Sequence, residues 1–170
     1  MKLSKYSFGL IYKEKDSEVL NKLKIFLSLD FKTKLILLEA YYFLGVGRYL
    51  KSVPFSKLAT MLGEHMKETT YDLKADKQIL RNISQSIKIM SPYTFWESQC
   101  LVQAIAAMKM LEKRNIECTL YLGTAKEESG ELIAHAWLRS GSLFITGFEG
   151  KDKFTVVGKF AKTIGGTVNE

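Results

Sequence analysis

The chain has few of the residues that mark several large classes of protein. Its 170 residues include only two cysteines, two histidines and two prolines. Cys100 and Cys118 could form one disulfide, but they do not make a disulfide framework, and two cysteines with two histidines at these spacings are a poor zinc site. The scarcity of proline, with no low-complexity segment or internal repeat, argues against a long linker or a repeat protein. We therefore expect a globular domain that needs no metal or other cofactor.

No apolar run in the sequence is long enough to cross a membrane. The most apolar segment extends from Leu35 to Val46, is interrupted by Glu39, and falls short of the roughly 20 residues that a membrane helix needs. The basic N-terminus, from Met1 to Tyr12, contains an apolar run too short for a secretory signal. These features predict a cytoplasmic protein with reduced cysteines and no transmembrane segment.

The chain is basic, with a net charge of +7 and a sequence pI near 9.3. Its lysines are scattered and do not form a block, and no nucleic-acid-binding motif accompanies them. We therefore do not expect nucleic acid as a partner. A solvated, lysine-rich surface is the simplest interpretation, and an acidic peptide or membrane surface is the alternative.

The hydrophobic period changes along the chain from that of helices to that of strands. Helical spacing predicts helices over residues 17–29, 31–52, 55–62, 77–90 and 99–114. Alternating apolar residues predict strands over 116–123, 132–139, 142–146 and 154–160, and Ser140-Gly141 is typical of a tight hairpin turn. Helices followed by an antiparallel sheet predict an α+β fold. We divide it into a helical docking or support lobe over residues 1–75 and a catalytic core over 76–170, joined as one compact unit.

Cys100 lies at the start of one predicted amphipathic helix. With Ser98 as the expected N-cap, the thiol would lie in the first helical turn. Free N–H groups and the positive end of the helix dipole favour a thiolate there, and the same N–H groups could stabilise an oxyanion. The alternative is a buried structural cysteine, which is the common role of a free cysteine. Cys118, which lies in a predicted strand, fits that structural role.

His135 lies in the predicted strand Leu132–Arg139, between Ala134 and Ala136. Such small neighbours would let another element approach the imidazole closely, which suits a helix that carries Cys100. A satisfied core histidine is the alternative for His135 taken alone. The other histidine, His65, lies in a polar stretch and is expected at the surface.

The two candidates belong to a longer pattern of sequence. A Cys100-Leu101 helix start leads through a helix and a strand to Gly123, followed by Ala134-His-Ala-Trp-Leu-Arg139, the Ser140-Gly141 turn and Phe154-Thr-Val-Val157. This pattern resembles the leader-peptidase family of lasso peptide biosynthesis, the peptidase half of the split B protein. The resemblance is densest over residues 76–160. It implies a transglutaminase-like, papain-related core in which the cysteine-bearing helix packs on an antiparallel sheet.

The resemblance implies a cysteine peptidase that cleaves the leader from a ribosomally made precursor before macrolactam closure. Cys100 maps to the nucleophile and His135 to the general base. The family's third residue, an aspartate on the next strand, has no counterpart here, because its position falls at Thr146 or Gly147. Glu149 from the following turn is our candidate third member, with Thr146 or a backbone carbonyl as alternatives.

The family also implies partners for this chain. These are the precursor peptide, a separate small winged-helix protein that holds the leader as an added strand, and the macrolactam cyclase as a further candidate. Two other functions stay open on the same fold. One is a transglutaminase-like acyltransferase, and the other is a peptide-binding module with little or no catalytic activity.

Overall fold

In the computed structural model, residues 24–72 and 75–164 are described. They belong to two compact units, one that ends at Leu35 and one that begins at Ile36. In the first unit residues 24–28 are helical; the rest of the helix predicted over residues 17–29 lies largely outside the described residues. Asp30 caps the next helix, since its carboxylate accepts the Thr33 N–H at 3.0 Å.

The second unit combines helices with one antiparallel sheet, which confirms the α+β class. Its helices, in chain order, are α1 (Phe31–Lys51, which begins in the first unit), α2 (Phe55–Leu62), α3 (Lys77–Met90) and α4 (Cys100–Glu112). Its strands are β1 (Glu64–His65), β2 (Cys118–Lys126), β3 (Leu132–Ser140), β4 (Leu143–Thr146) and β5 (Thr155–Lys162). Among the described residues, no helix has the length and apolar character that crossing a membrane requires.

The sheet has the order β1-β5-β2-β3-β4. The four longer strands correspond to the four predicted from alternation, while the two-residue β1 is too short to produce a pattern. β5, the last strand among the described residues, pairs with β2, and β4 pairs with β3 and lies at one edge of the sheet. The outer side of β4 faces α3, and the candidate site lies between these two elements.

α4 is the central helix of the core. It is apolar on almost all sides, and eight of its residues, from Val102 to Leu111, are buried, as expected for a helix that is surrounded by other elements. Ala104, Ala106 and Ala107 are fully buried, and such small side chains permit close packing of neighbouring elements. The core cluster joins α4 to Leu80, Ile83 and Ile87 of α3, to Ala40 and Leu44 of α1, and to Leu120, Ala136, Leu138 and Phe160 of the sheet.

A buried arginine lies on the face of the sheet where the rings of Tyr121 and Trp137 stack on each other. Arg139 is fully buried, and its guanidinium donates to the carbonyl oxygens of Thr69, Thr70 and Gly141 and to the Tyr121 hydroxyl. The guanidinium also lies 3.5 Å from the Glu68 carboxylate, so the buried charge has both hydrogen-bond acceptors and a counter-charge. Arg139 therefore fixes the segment that follows β1 against the sheet.

Candidate active site

Both residues singled out in the sequence, Cys100 and His135, line one cavity of about 640 Å³. Ser84, Ile87, Lys88 and Ser91 also line it, and their spacing places them on one face of α3 and the turn that follows it. Phe144 to Thr146 of β4 and the turn from Gly147 to Glu149 line it as well, with Pro92 and Gln103 completing the set. The cavity is therefore a cleft between α3 and the edge strand, with the cysteine and the histidine both on its surface.

Cys100 is the first residue of α4 and is partly buried. Gln99 is the N-cap residue and makes no capping hydrogen bond with its side chain, so the expected Ser98 cap is wrong. The Ser98 hydroxyl instead lies 2.7 Å from the Thr94 hydroxyl, which draws it into the preceding loop. A helix start without a side-chain cap leaves backbone N–H groups of the first turn available to a ligand or a developing negative charge.

The imidazole of His135 is held by the main chain. Its Nε2 atom lies 2.9 Å from the carbonyl oxygen of Gly147. A carbonyl can only accept, so Nε2 carries the hydrogen and donates it, which leaves Nδ1 to accept or bind a proton. The rings of Trp137 and Phe154 flank the imidazole with centroids at 5.8 and 5.0 Å. His135 therefore has a fixed tautomer and a restricted orientation.

The position of the Gly147 carbonyl depends on the absence of a side chain at residue 147. Gly147 has φ +68°, and a Cβ atom there would lie 2.4 Å from the Ala136 carbonyl oxygen. A left-handed backbone conformation in contact with the neighbouring strand is accessible only to glycine without strain. The chain can thus turn at the end of β4 close enough to β3 for residue 147 to reach His135.

The candidate third members take other positions. Glu149 lines the cavity, but its side chain is 95% exposed and its recorded partner is Lys88 at 4.0 Å. Thr146 is buried, and its hydroxyl oxygen has no hydrogen-bond partner in the described part of the structure. Of the alternatives drawn from the sequence, the backbone carbonyl is the one that contacts His135.

Cys100 and His135 line the same cavity, but they are not hydrogen-bonded to each other. Among the described residues, no hydrogen bond is recorded between the Cys100 thiol and the His135 ring. Hydrogen bonds between catalytic groups are commonly long in ligand-free proteins and shorten in the complex with substrate. A thiol and an imidazole on the surface of one cavity are the groups that thiol chemistry requires.

The remaining cysteine and histidine lie elsewhere. Cys118 is fully buried in β2, and burial raises the pKa of its thiol to about 12, so it is a core residue, as expected. His65 is exposed in β1, where its ring lies 5.2 Å from that of Phe160. Both cysteines are free. In the described ranges no group of three or more His, Cys, Asp or Glu side chains could hold a metal ion.

The polar residues of α3 that line the cavity were not identified from the sequence. Ser84 donates to the Ile145 carbonyl at 2.6 Å and so joins α3 to the edge strand. The signal for this face was present, since Ser84, Lys88 and Ser91 recur at helical spacing beside the apolar stripe of α3. Their role could not be inferred without knowing that β4 lies opposite α3.

A sequence model of the transglutaminase-like superfamily matches residues 49–159. The match covers more than half of the chain and includes both Cys100 and His135. The chain belongs to the transglutaminase-like superfamily. No curated protein and no solved structure matches it. The superfamily includes cysteine peptidases, so the domain has the fold of a cysteine peptidase or acyltransferase.

Proposed function

We propose that the protein is a cysteine peptidase that removes the leader from a ribosomally synthesised precursor peptide during lasso peptide maturation. The observation that carries the proposal is the hydrogen bond between His135 Nε2 and the Gly147 carbonyl, in the cavity that Cys100 also lines. It gives the imidazole the tautomer that a base acting on the Cys100 thiol requires.

In the proposed mechanism, His135 Nδ1 accepts the proton of the Cys100 thiol, and the thiolate attacks the scissile carbonyl carbon. The oxyanion that forms lies near the N–H groups of the first turn of α4. The imidazolium then gives its proton to the leaving amine, which departs and leaves an acyl-enzyme. Water attacks this thioester while Nδ1 takes its proton, and the peptide leaves as a carboxylate with the thiol restored. The Gly147 carbonyl stabilises the imidazolium through Nε2.

The choice of a precursor peptide as substrate rests on the resemblance of Cys100-Leu101 and Ala134-His-Ala-Trp137 to the lasso leader peptidases. A cavity of about 640 Å³ falls in the usual range of ligand sites. Under this proposal a separate winged-helix protein presents the leader, the macrolactam cyclase receives the product, and the helical lobe over residues 1–75 supports docking.

The test is cleavage of a precursor peptide encoded beside the gene, with its recognition protein present, followed by mass spectrometry. We expect a product with a free carboxylate, complete loss of cleavage in Cys100→Ala, and cleavage retained in Cys118→Ala. A product joined to an added amine would identify an acyltransferase instead. Cleavage by Cys100→Ala would exclude the mechanism, and a wild-type protein that binds the precursor without cleaving it would identify a binding module.

A further inference from the structure

The active-site cavity continues along α3 into a second cavity. The second cavity has a volume of about 280 Å³ and is lined by Leu80, Arg81, Ser84, Gln85 and Leu143 to Ile145. Ser84, Phe144 and Ile145 line both cavities. The two are therefore neighbouring parts of one surface cleft between α3 and β4. The hydrogen bond from Ser84 to the Ile145 carbonyl lies between them, so a ligand that occupies both parts must pass over it.

The dimensions and walls of this cleft suit an extended chain. From Arg81 to Ser91 the helical rise of 1.5 Å per residue gives a length of about 15 Å, which corresponds to about four or five extended residues. β4 is an edge strand, but its Ile145 carbonyl already accepts from Ser84 of α3, so a bound chain would be held by side chains of the two walls and not as an added strand. Apolar side chains of Ile87 and Phe148 line the part that contains Cys100, and Phe144 lines both parts.

The helical wall of the cleft is positively charged. α3 contains Lys77, Arg81 and Lys88 and no acidic residue. Arg81 is exposed, and no ion pair is recorded for it with any described residue. The pair of Lys88 with Glu149 is 4.0 Å long between largely exposed side chains, so it competes weakly with a ligand. A ligand with a carboxylate group would therefore complement the charge of this wall.

We propose that the cleft between α3 and β4 binds an extended segment of the peptide substrate on one side of the scissile bond, and that Arg81 pairs with an acidic side chain about four or five residues from that bond. That the ligand is a peptide rests on the proposed function; the position of the acidic residue follows from the length of the cleft. Arg81 determines specificity here and takes no part in the chemistry.

Disulfide tethering tests this inference without requiring catalysis. The probes are seven-residue peptides with a terminal thiol joined to cysteamine as a disulfide, each with one Glu, Gln or Lys at a varied position. The Cys100 thiolate attacks the peptide sulfur, forms a mixed disulfide with the peptide and releases cysteamine as a thiol. Since Cys118 is buried with a raised thiol pKa, attachment occurs at Cys100. The measurement is the reductant concentration that releases half of each peptide from the full-length protein.

Peptides with Glu four or five residues from the tether should resist reduction about two- to fivefold better than those with Lys there, as expected for an exposed ion pair. In Arg81→Glu this preference should reverse. Lys57→Glu makes the same change of charge on an exposed part of α2 and should leave the preference unchanged. Three results would overturn the inference. The preference for Glu could be independent of its position in the peptide, Lys57→Glu could have the same effect as Arg81→Glu, or no peptide could be retained better than cysteamine.

The two hypotheses fail independently. An Arg81-dependent preference in tethering, combined with an intact precursor in the cleavage assay, would reject the peptidase and keep the cleft as a peptide site. Cleavage that depends on Cys100, combined with tethering that is insensitive to Arg81, would keep the peptidase and reject this role of the cleft.

Discussion

His135 Nε2 lies 2.9 Å from the carbonyl oxygen of Gly147. In the proposed mechanism, this main-chain atom takes the place that a carboxylate fills in a catalytic triad. A carbonyl fixes the tautomer of the ring as a carboxylate does, but it contributes only a partial negative charge to stabilise an imidazolium. The orientation of the proposed base therefore depends on the backbone of the turn after β4 more than on any single side chain.

The backbone dependence predicts that Gly147→Ala impairs catalysis. The added Cβ atom would meet the Ala136 carbonyl oxygen at 2.4 Å in a backbone with φ +68°, so the turn must move and carry the carbonyl away from His135. We expect at least a tenfold lower rate of acyl-enzyme formation and a loss of about 2 kcal/mol in the free energy of unfolding. Single-turnover kinetics and urea denaturation measure the two effects.

Gly150→Ala is the matched control for this change. Gly150 also has a left-handed backbone, with φ +77°, but an added Cβ atom would meet nothing within 4 Å. The control should therefore show the conformational cost of about 1 kcal/mol and keep its rate. Equal losses of rate in the two variants would show that the contact at residue 147 is not what positions His135.

Side-chain candidates for the third member should be dispensable. The Glu149 side chain is 95% exposed, so Glu149→Gln should change the rate less than twofold. Thr146→Val removes a buried hydroxyl that has no recorded partner; it should keep activity and leave stability unchanged or raised, because an unsatisfied polar group is lost. The pH profile of single-turnover acylation measures the rates of both variants, and urea denaturation measures the stability of Thr146→Val. A large loss of rate in Glu149→Gln would mean that this carboxylate reaches His135 during the reaction.

Much of this site could be predicted from local sequence. The period of apolar residues identified α2, α3 and the four long strands to within a few residues, because each buries one regular face or run. Cys100 at a helix start and His135 in a strand between alanines also follow from local pattern. Their approach to each other was also expected, from the alanines beside His135 and from the family resemblance, and the two residues do line one cavity. The opposite wall of that cavity could not be predicted, because it depends on β4 being the edge strand beside α3.

The differences between the predicted and the observed site have local physical causes. Ser98 was the better N-cap by residue type, but its hydroxyl pairs with Thr94, and the helix begins one residue later than predicted. The Gly147 carbonyl could not be singled out, because every residue has a carbonyl and only the left-handed turn directs this one to His135. The positive charge of the cleft could likewise not be predicted, because it requires knowing that α3 lies opposite β4.

The two cysteines should differ in reactivity toward iodoacetamide. Burial raises the pKa of the Cys118 thiol to about 12, so at pH 7 to 8 both its thiolate fraction and its access to reagent are minimal. Cys100 lines an open cavity and should be alkylated alone in the native protein, with both cysteines modified in urea. Peptide mapping by mass spectrometry gives the site. Modification of native Cys118 at the rate of Cys100 would contradict the buried position of β2 in the core.

An ion pair between α1 and the end of α4 should make stability depend on pH. Arg114 donates to both carboxylate oxygens of Glu39, at 2.8 and 2.6 Å, and its hydrogen bonds hold the pKa of Glu39 below the ordinary 4.5. A carboxyl group with a lowered pKa in the folded state stabilises the protein above the pKa of the unfolded chain, and this contribution is lost as the pH falls below it.

Glu39→Gln should therefore lower the free energy of unfolding by about 1 to 2 kcal/mol at pH 7, with the difference from wild type shrinking as the pH falls below about 4.5. Urea denaturation at pH 7, 4.5 and 3 measures it. Glu128→Gln is the control for charge, because Glu128 is exposed and has no recorded ion pair within the described ranges; its effect should stay within about 0.5 kcal/mol. A Glu39→Gln deficit that is as large at pH 3 as at pH 7 would show that packing, and not the charge of Glu39, joins α1 to α4.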